Sequence, residues 1–387
     1  MTTDSRTNAK SFDIARTLRT VLVAMLPGIV VAIWFLGLGV LFNIVLAALF
    51  ALAFEAFALW LRGPTNQGTA ATPPIEKGGV GGISRTSSNL QVPEIPRSLR
   101  EPPPLSKGAH TSLETALVPQ PAFFSGEAAK RLLDGSALIT AALIALALPP
   151  FAPWWIILFA CAAAMLVGKH CYGGLGQNIF NPAMTGYALV LLAFPAQLAH
   201  WPQIVPQLDG YTSATVLDTF KQNHALTVAD WWRMHPQFGQ WGGYGWEWIN
   251  LAFLGGGLFL LQQKIFSWHI PVAMLVTLGL CAAAFYDNGS SASAGSPLFH
   301  WLSGATMLGA FFVATDPATA ANTRLAKLLY GALIGALVFA MRHAGHYADG
   351  VAFAVVGANA AALLLDKIDV QKLRGLLKPA DRPTDER

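Results

Sequence analysis

Charged residues along this chain cluster at the termini and in a few connections, leaving long apolar stretches between them. Ten such stretches run near residues 18–36, 38–61, 136–149, 153–168, 183–197, 246–262, 270–286, 300–315, 328–341 and 350–366. Each lies near the ~20 residues that carry a helix across a bilayer. The pattern predicts an all-α polytopic membrane protein of about ten transmembrane helices. Gly and Pro interrupt Phe180–Pro195 and Leu302–Pro317, which predicts that one or two runs are half-helices. An even count splits into five plus five, an arrangement that would relate the halves as inverted repeats. FNPAM at Phe180–Met184 and ATDPAT at Ala314–Thr319, each with Asn or Asp before Pro at a span end, are a faint echo of such a repeat.

Composition agrees. Only 12% of the 387 residues are charged and 54% are hydrophobic, against roughly 25% charged in a soluble domain. A soluble enzyme is excluded. The net charge of +4 does not point to nucleic acid, because Lys and Arg sit beside apolar runs and orient them in the membrane. The two termini and the second, fourth, sixth and eighth connections hold 22 of the 25 Lys and Arg, while the other connections hold only Lys221, Arg233 and Arg342. By the positive-inside rule both termini are expected in the cytoplasm.

The expected organisation is a cytoplasmic N-terminus at 1–17, two spans at 18–61, an insert at 62–135, three spans at 136–197, an extracytoplasmic loop at 198–245, five spans at 246–366 and a cytoplasmic tail at 367–387. No small-residue cleavage site follows the first apolar run, so that run reads as a retained span. The insert is rich in Pro, Gly and Ser and is expected to be largely disordered. In the 198–245 loop, Trp201, Trp231, Trp232 and Trp241, with Trp246 and Trp248 opening the next span, suit the headgroup level of a bilayer.

Candidate chemistry is sparse, and no catalytic residue stands out. Cys161 and Cys281 lie in apolar runs and Cys171 follows His170, which is no pattern for disulfides or metal. The histidines show no paired metal-binding spacing. Ionisable groups near the membrane are more informative. Glu55 lies within the second run and reads as structural. Asp316, beside Pro317, suits either an ion path or a helix cap, and Asp366 is expected at a solvated edge. Between Gly168 and Met184, the glycines Gly173, Gly174 and Gly176 permit close backbone approach, and Asn181-Pro182 suits a helix start with free N–H groups. With Asn178, these are candidates for a ligand or ion path; a tight turn between helices is the plain alternative.

The segment from Leu208 to Phe220 (LDGYTSATVLDTF) would, as a bare pattern, be an ordinary polar turn. It resembles the flavinylation motif of the RnfD and NqrB membrane subunits: an Asp, two variable positions, Ser or Thr, a small residue, Ala and Thr. GGLGQNIFNPAM, ATDPAT, DGVAFAV at Asp349–Val355 and LLLDKID are also similar to RnfD in order and spacing, over nearly the whole chain apart from 63–126. The resemblance implies covalent FMN, joined as a phosphoester to Thr215, with Asp209, Thr212, Ser213 and Ala214 as the recognition part. Ser213 stands where many members have Gly. The resemblance further implies a noncovalent riboflavin, an exported flavin transferase, and a complex with iron–sulfur subunits and a second covalent-FMN subunit. Such a complex passes electrons between ferredoxin and NAD and moves Na⁺ or H⁺. Ser303-Gly-Ala-Thr306 matches the motif's core, but His300 replaces its Asp and an apolar run follows, so Thr306 is expected to be a packing residue. An NqrB-like quinone-reducing subunit and a solute channel of inverted-repeat fold are the alternatives.

Overall fold

The computed structural model describes residues 3–62, 134–174, 176–202, 204, 212–223, 225–347 and 349–367, with backbone only at 3–15, 62, 212 and 213. Asp209, nearly all of the predicted insert and the tail beyond 367 lie outside the described residues. Met1–Ala58 and Lys130–Arg387 form one compact unit, a helical bundle.

Every apolar run contains helix. In chain order these are α1 (Thr3–Leu36), α2 (Gly39–Arg62), α3 (Ser136–Ala147), α4 (Trp154–Ala162, continued by a π-helical turn Ala163–Lys169) and α5 (Pro182–Ala193). After a loop region bearing β1 (Trp201–Pro202), β2 (Thr212–Ser213), α6 (Val216–Lys221) and α7 (Val228–Met234), the bundle resumes with α8 (Trp246–Gln262) and α9 (His269–Ala284). It ends with α10 (Pro297–Trp301), α11 (Thr306–Leu308, continued by a π-helical turn Gly309–Val313), α12 (Arg324–Ala344) and α13 (Val351–Leu365). Among the described residues, the only paired strands are β1 and β2, a two-residue antiparallel ladder.

The helices differ in length. Arg16–Leu36, Gly39–Leu61, Trp154–Tyr172 and Arg324–Ala344 are long and apolar enough to cross a membrane. At 12 residues each, α3 and α5 extend about 18 Å, short of the ~30 Å hydrocarbon core. The expectation of half-helices therefore holds for α5, and α3 joins it. The eighth run is broken outright between Trp301 and Thr306. Side chains on the outer helix faces, including Val30, Trp34, Leu49 and Leu280, are more than half exposed, as a lipid-facing surface requires.

Inside the bundle, small residues let helices touch. A Cβ at Gly331 or Gly335 of α12 would collide with the backbone carbonyls of Ile270 or Met274 on α9. Two helix pairings in the second half repeat ones in the first: α1 packs on α3 as α8 packs on α11, and the end of α4 packs on α5 as α12 packs on α13. A buried cation followed by histidine closes the fourth helix of each half, Lys169-His170 after α4 and Arg342-His343 in α12. Each reaches the start of its half's third helix: Lys169 Nζ donates to Ser136 Oγ (2.8 Å) and Arg342 Nη2 to Thr306 Oγ1 (2.9 Å).

The loop region packs its own small core. Val216, Leu217, Phe220, Phe238 and Phe299 are buried together, with Trp231 and Trp232 against them. Those two tryptophans pack against the loop core while staying partly exposed, and Trp201 rests on Trp246 (ring centroids 5.3 Å). Trp241 and Trp248 stay exposed, as a headgroup position requires.

Candidate functional site

Thr215 is the N-cap of α6: its Oγ1 accepts from the Asp218 N–H (3.2 Å) and donates to Asp218 Oδ2 (3.0 Å). This is a reciprocal cap, and the same geometry recurs at Thr227 and Asp230 of α7. Capping therefore explains the Thr–Asp pair without special chemistry. Two things hold α6 in place: Val216, Leu217 and Phe220 enter the loop core, and Lys221 Nζ donates to the carbonyls of Met341 (3.1 Å), Gly345 (3.0 Å) and Tyr347 at the end of α12. Burial pushes the Asp218 carboxyl up from its ordinary value, against the lowering effects of the Thr215 bond and Lys221. Burial likewise pushes the Lys221 ammonium down.

Thr215 is half-buried at a cavity of about 550 Å³, within the ~300–1,000 Å³ of small-molecule sites. Tyr187, Trp201, Trp246, Leu308, Val351 and Asp349 are among its walls. Most of the lining is apolar, with a few polar groups at fixed positions, which suits a flat aromatic ligand with polar edges. Of the other motif residues, Ala214 is exposed and Thr212 and Ser213 contribute backbone to the ladder with Pro202 and Trp201.

Thr306 is a different kind of threonine. It is fully buried, its hydroxyl donates toward the carbonyls of His300 (2.7 Å) and Ser303 (3.0 Å), and it accepts from Arg342. No incoming group can reach it.

The break before Thr306 falls in a run that its Gly and Pro mark as interrupted; what sequence reasoning missed is the set of groups that satisfies it. Unwinding residues 302–305 frees backbone polar groups in an apolar bundle, and each freed group needs a partner. Asn250 bonds the Gly304 carbonyl and the Met307 N–H (2.9 and 3.0 Å). Arg342 donates to the His300 carbonyl (2.7 Å), and Asp349 Oδ2 accepts from the Ala305 N–H (2.7 Å). Arg342 and Asp349 also pair directly, Nη2 to Oδ1 at 2.9 Å. The available signal was ionisable residues at the edges of apolar runs.

A second, smaller cavity of about 130 Å³ adjoins α3, α5 and residues 311–318, with Lys169, Asn178, Asn181 and Asp316 in its lining. Its walls continue those of the larger one: Met184 and Val313 line the first, while their neighbours Ala183 and Phe312 line the second. Asn181 caps α5, as its place before Pro182 predicts, accepting from the Met184 N–H (3.1 Å) and lying 3.4 Å from Asp316 Oδ2. Asp316 also accepts from the Ala318 N–H and the Thr319 hydroxyl. Gly173, Gly174 and Gly176, at φ 113°, 106° and 81°, make the tight turn before α5, and none of them lines the cavity. Lys169 pairs with Glu55 at 2.6 Å, with both side chains almost wholly buried, so Glu55 is structural.

Fold and site together define a polytopic membrane protein with a cofactor-sized cavity beside a threonine whose hydroxyl is a surface cap. The chain belongs to the NQR2, RnfD, RnfE family, whose profile matches residues 2–72 and 116–375. It is 38% identical to a protein of Cellvibrio japonicus named as a subunit of an ion-translocating oxidoreductase complex, over 96% of this chain and 93% of that one. A protein with the same name from Ectopseudomonas mendocina is 40% identical, over 93% and 91% of the two chains. Another, from Aeromonas salmonicida, is 45% identical over 63% of this chain and 79% of its own.

Proposed function

We propose that this chain is the flavin-bearing membrane subunit of an Rnf-type ion-translocating oxidoreductase complex, with FMN esterified to Thr215 and its ring in the 550 Å³ cavity. One observation carries the reading: of the two threonines that match the motif's core, Thr215 stands at the rim of a cofactor-sized cavity and Thr306 is sealed by three hydrogen bonds. Attachment by an exported transferase forms the bond from Thr215 Oγ1 to phosphorus as a diphosphate bond of FAD breaks and AMP leaves. That reaction replaces the proton that Thr215 lends to Asp218, and the loop core and Lys221 keep α6 in place. Once bound, the flavin supplies the redox chemistry, while this chain supplies placement, an apolar surround and exclusion of water.

Electrons reach such a group from a sister subunit that bears its own covalent FMN and leave toward iron–sulfur subunits. The two termini lie in the cytoplasm and Thr215 faces the outer compartment, supported by the scarcity of Lys and Arg in its loop. The reading places a second station at the smaller cavity. Of the occupants considered there, riboflavin or an ion, the volume of about 130 Å³ favours the ion, with Asp316 in its lining.

Mass spectrometry of the Thr215 peptide, from protein made with its native transferase, tests the proposal. An FMN phosphoester is expected; an unmodified threonine in an active complex refutes the redox role and favours a solute channel.

A further inference from the structure

The Thr215 cavity carries a charged group, Asp349, to which the sequence motifs assign no role. Asp349 lines it with a side chain 22% exposed, whereas its partner Arg342 is 1% exposed and lies behind the wall. The pair is held rigidly. Asp349 accepts from the Ala305 N–H at 2.7 Å and from Arg342 Nη2 at 2.9 Å, while Arg342 is also bound to the His300 carbonyl and the Thr306 hydroxyl. At Gly304, with φ +62°, a Cβ would run into the Asp349 carboxylate, so the unwound backbone fits closely around this pair. The result is a fixed dipole with its negative end toward the cavity.

The other charged or titratable groups at the cavity are arranged differently. Asp218 is engaged with Thr215 at the rim, His346 and Tyr347 belong to the loop after α12, and Tyr187 stands on α5. Behind them, Lys221 is tied to three carbonyls. Asp349 is the carboxylate set between the broken eighth run and the start of α13, where it lines the same cavity as Thr215.

From this we infer that Asp349, positioned by Arg342 and the Ala305 amide, sets the reduction potential of the redox group attached at Thr215 by presenting a fixed negative charge to it. The inference rests on the flavin reading above. Adding an electron without a proton places a second negative charge near Asp349, in a cavity where little water screens it, so the carboxylate lowers the potential. Asp349 is a tuning residue: it neither transfers the electron nor carries the flavin.

The test is spectroelectrochemical titration of the purified complex, with in-gel flavin fluorescence as the check of attachment. Asp349→Asn is expected to retain fluorescence and to raise the potential by about 59 mV, a tenfold change in the one-electron equilibrium. Asp349→Glu, which keeps the charge, should stay near the wild-type potential. Asp366→Asn removes a carboxylate that bonds Asn322 and Thr323 and does not line the cavity, and should shift nothing. An unchanged potential in fluorescent Asp349→Asn overturns the inference while leaving the flavin reading intact. Loss of flavin from both Asp349 variants also overturns it, making the residue structural. Absence of flavin from Thr215 in the wild type sinks the reading on which it rests.

Discussion

The two threonines that share a short sequence pattern should respond to alanine in opposite ways. Thr215→Ala removes an N-cap from a six-residue helix, a loss of about 1 kcal/mol, range 0.5–2. Three buried apolar side chains of α6 and the three carbonyl bonds of Lys221 remain, so the loop stays folded and the bundle inserts normally. Flavin fluorescence should nevertheless vanish, because the atom that bears the group is gone. Thr306→Ala deletes a fully buried hydroxyl that Arg342 and two carbonyls use. Leaving such partners short costs about 1–3 kcal/mol, so this variant should lose more thermal stability and keep all of its flavin. Thr215→Ser restores both cap and attachment point and should resemble wild type, provided the transferase accepts serine. The assay pairs in-gel fluorescence with thermal unfolding in detergent for the same preparations. Full fluorescence in Thr215→Ala, or its loss in a folded Thr306→Ala, refutes the assignment, whatever the stabilities turn out to be.

Other consequences concern the scaffold. Glu55→Gln strands the buried Lys169 and should cost about 3–5 kcal/mol; Lys169→Met should cost less, because His170 remains 3.3 Å from Glu55. A double-mutant cycle would show the coupling, and additive losses would argue against the pair. Gly335→Leu drives a side chain into the Met274 carbonyl and should separate α12 from α9, read as poor yield of folded protein; wild-type yield and melting would contradict that contact. Because burial raises the Asp218 carboxyl above its ordinary 3.8, the folded loop binds a proton more readily than the unfolded chain. Loop stability should therefore fall as pH rises from 3.8 through the raised value, and the slope should vanish in Asp218→Asn. Hydrogen exchange of α6 amides across that range measures it.

Much of this architecture is written in the order of residues, because membrane insertion depends on local, additive properties. A run of apolar residues satisfies its backbone only as helix when lipid surrounds it, so the ten runs become helical wherever they sit. Asn181 before Pro182 caps α5 for equally local reasons, and the short span at α5 and the broken eighth run follow from their Gly and Pro. The proposed attachment segment is legible as a short contiguous pattern for the same local reason.

What only the tertiary structure decided are the relations across the bundle. Thr306 reads as a packing residue from its neighbours in the chain, yet only the fold shows that Arg342, 36 positions away, locks it and that Thr215 stands at a cavity rim. Glu55 and Lys169 meet across 114 positions, and Trp231 and Trp232 pack against a loop core that includes Phe299 from beyond the loop. The larger cavity exists because half-length helices and an unwound segment fail to fill the bundle, leaving space that no single stretch of residues encodes. Burial and long-range hydrogen bonding depend on three-dimensional neighbours, so the roles of Asp349, Arg342 and Lys221 emerge only when the helices pack.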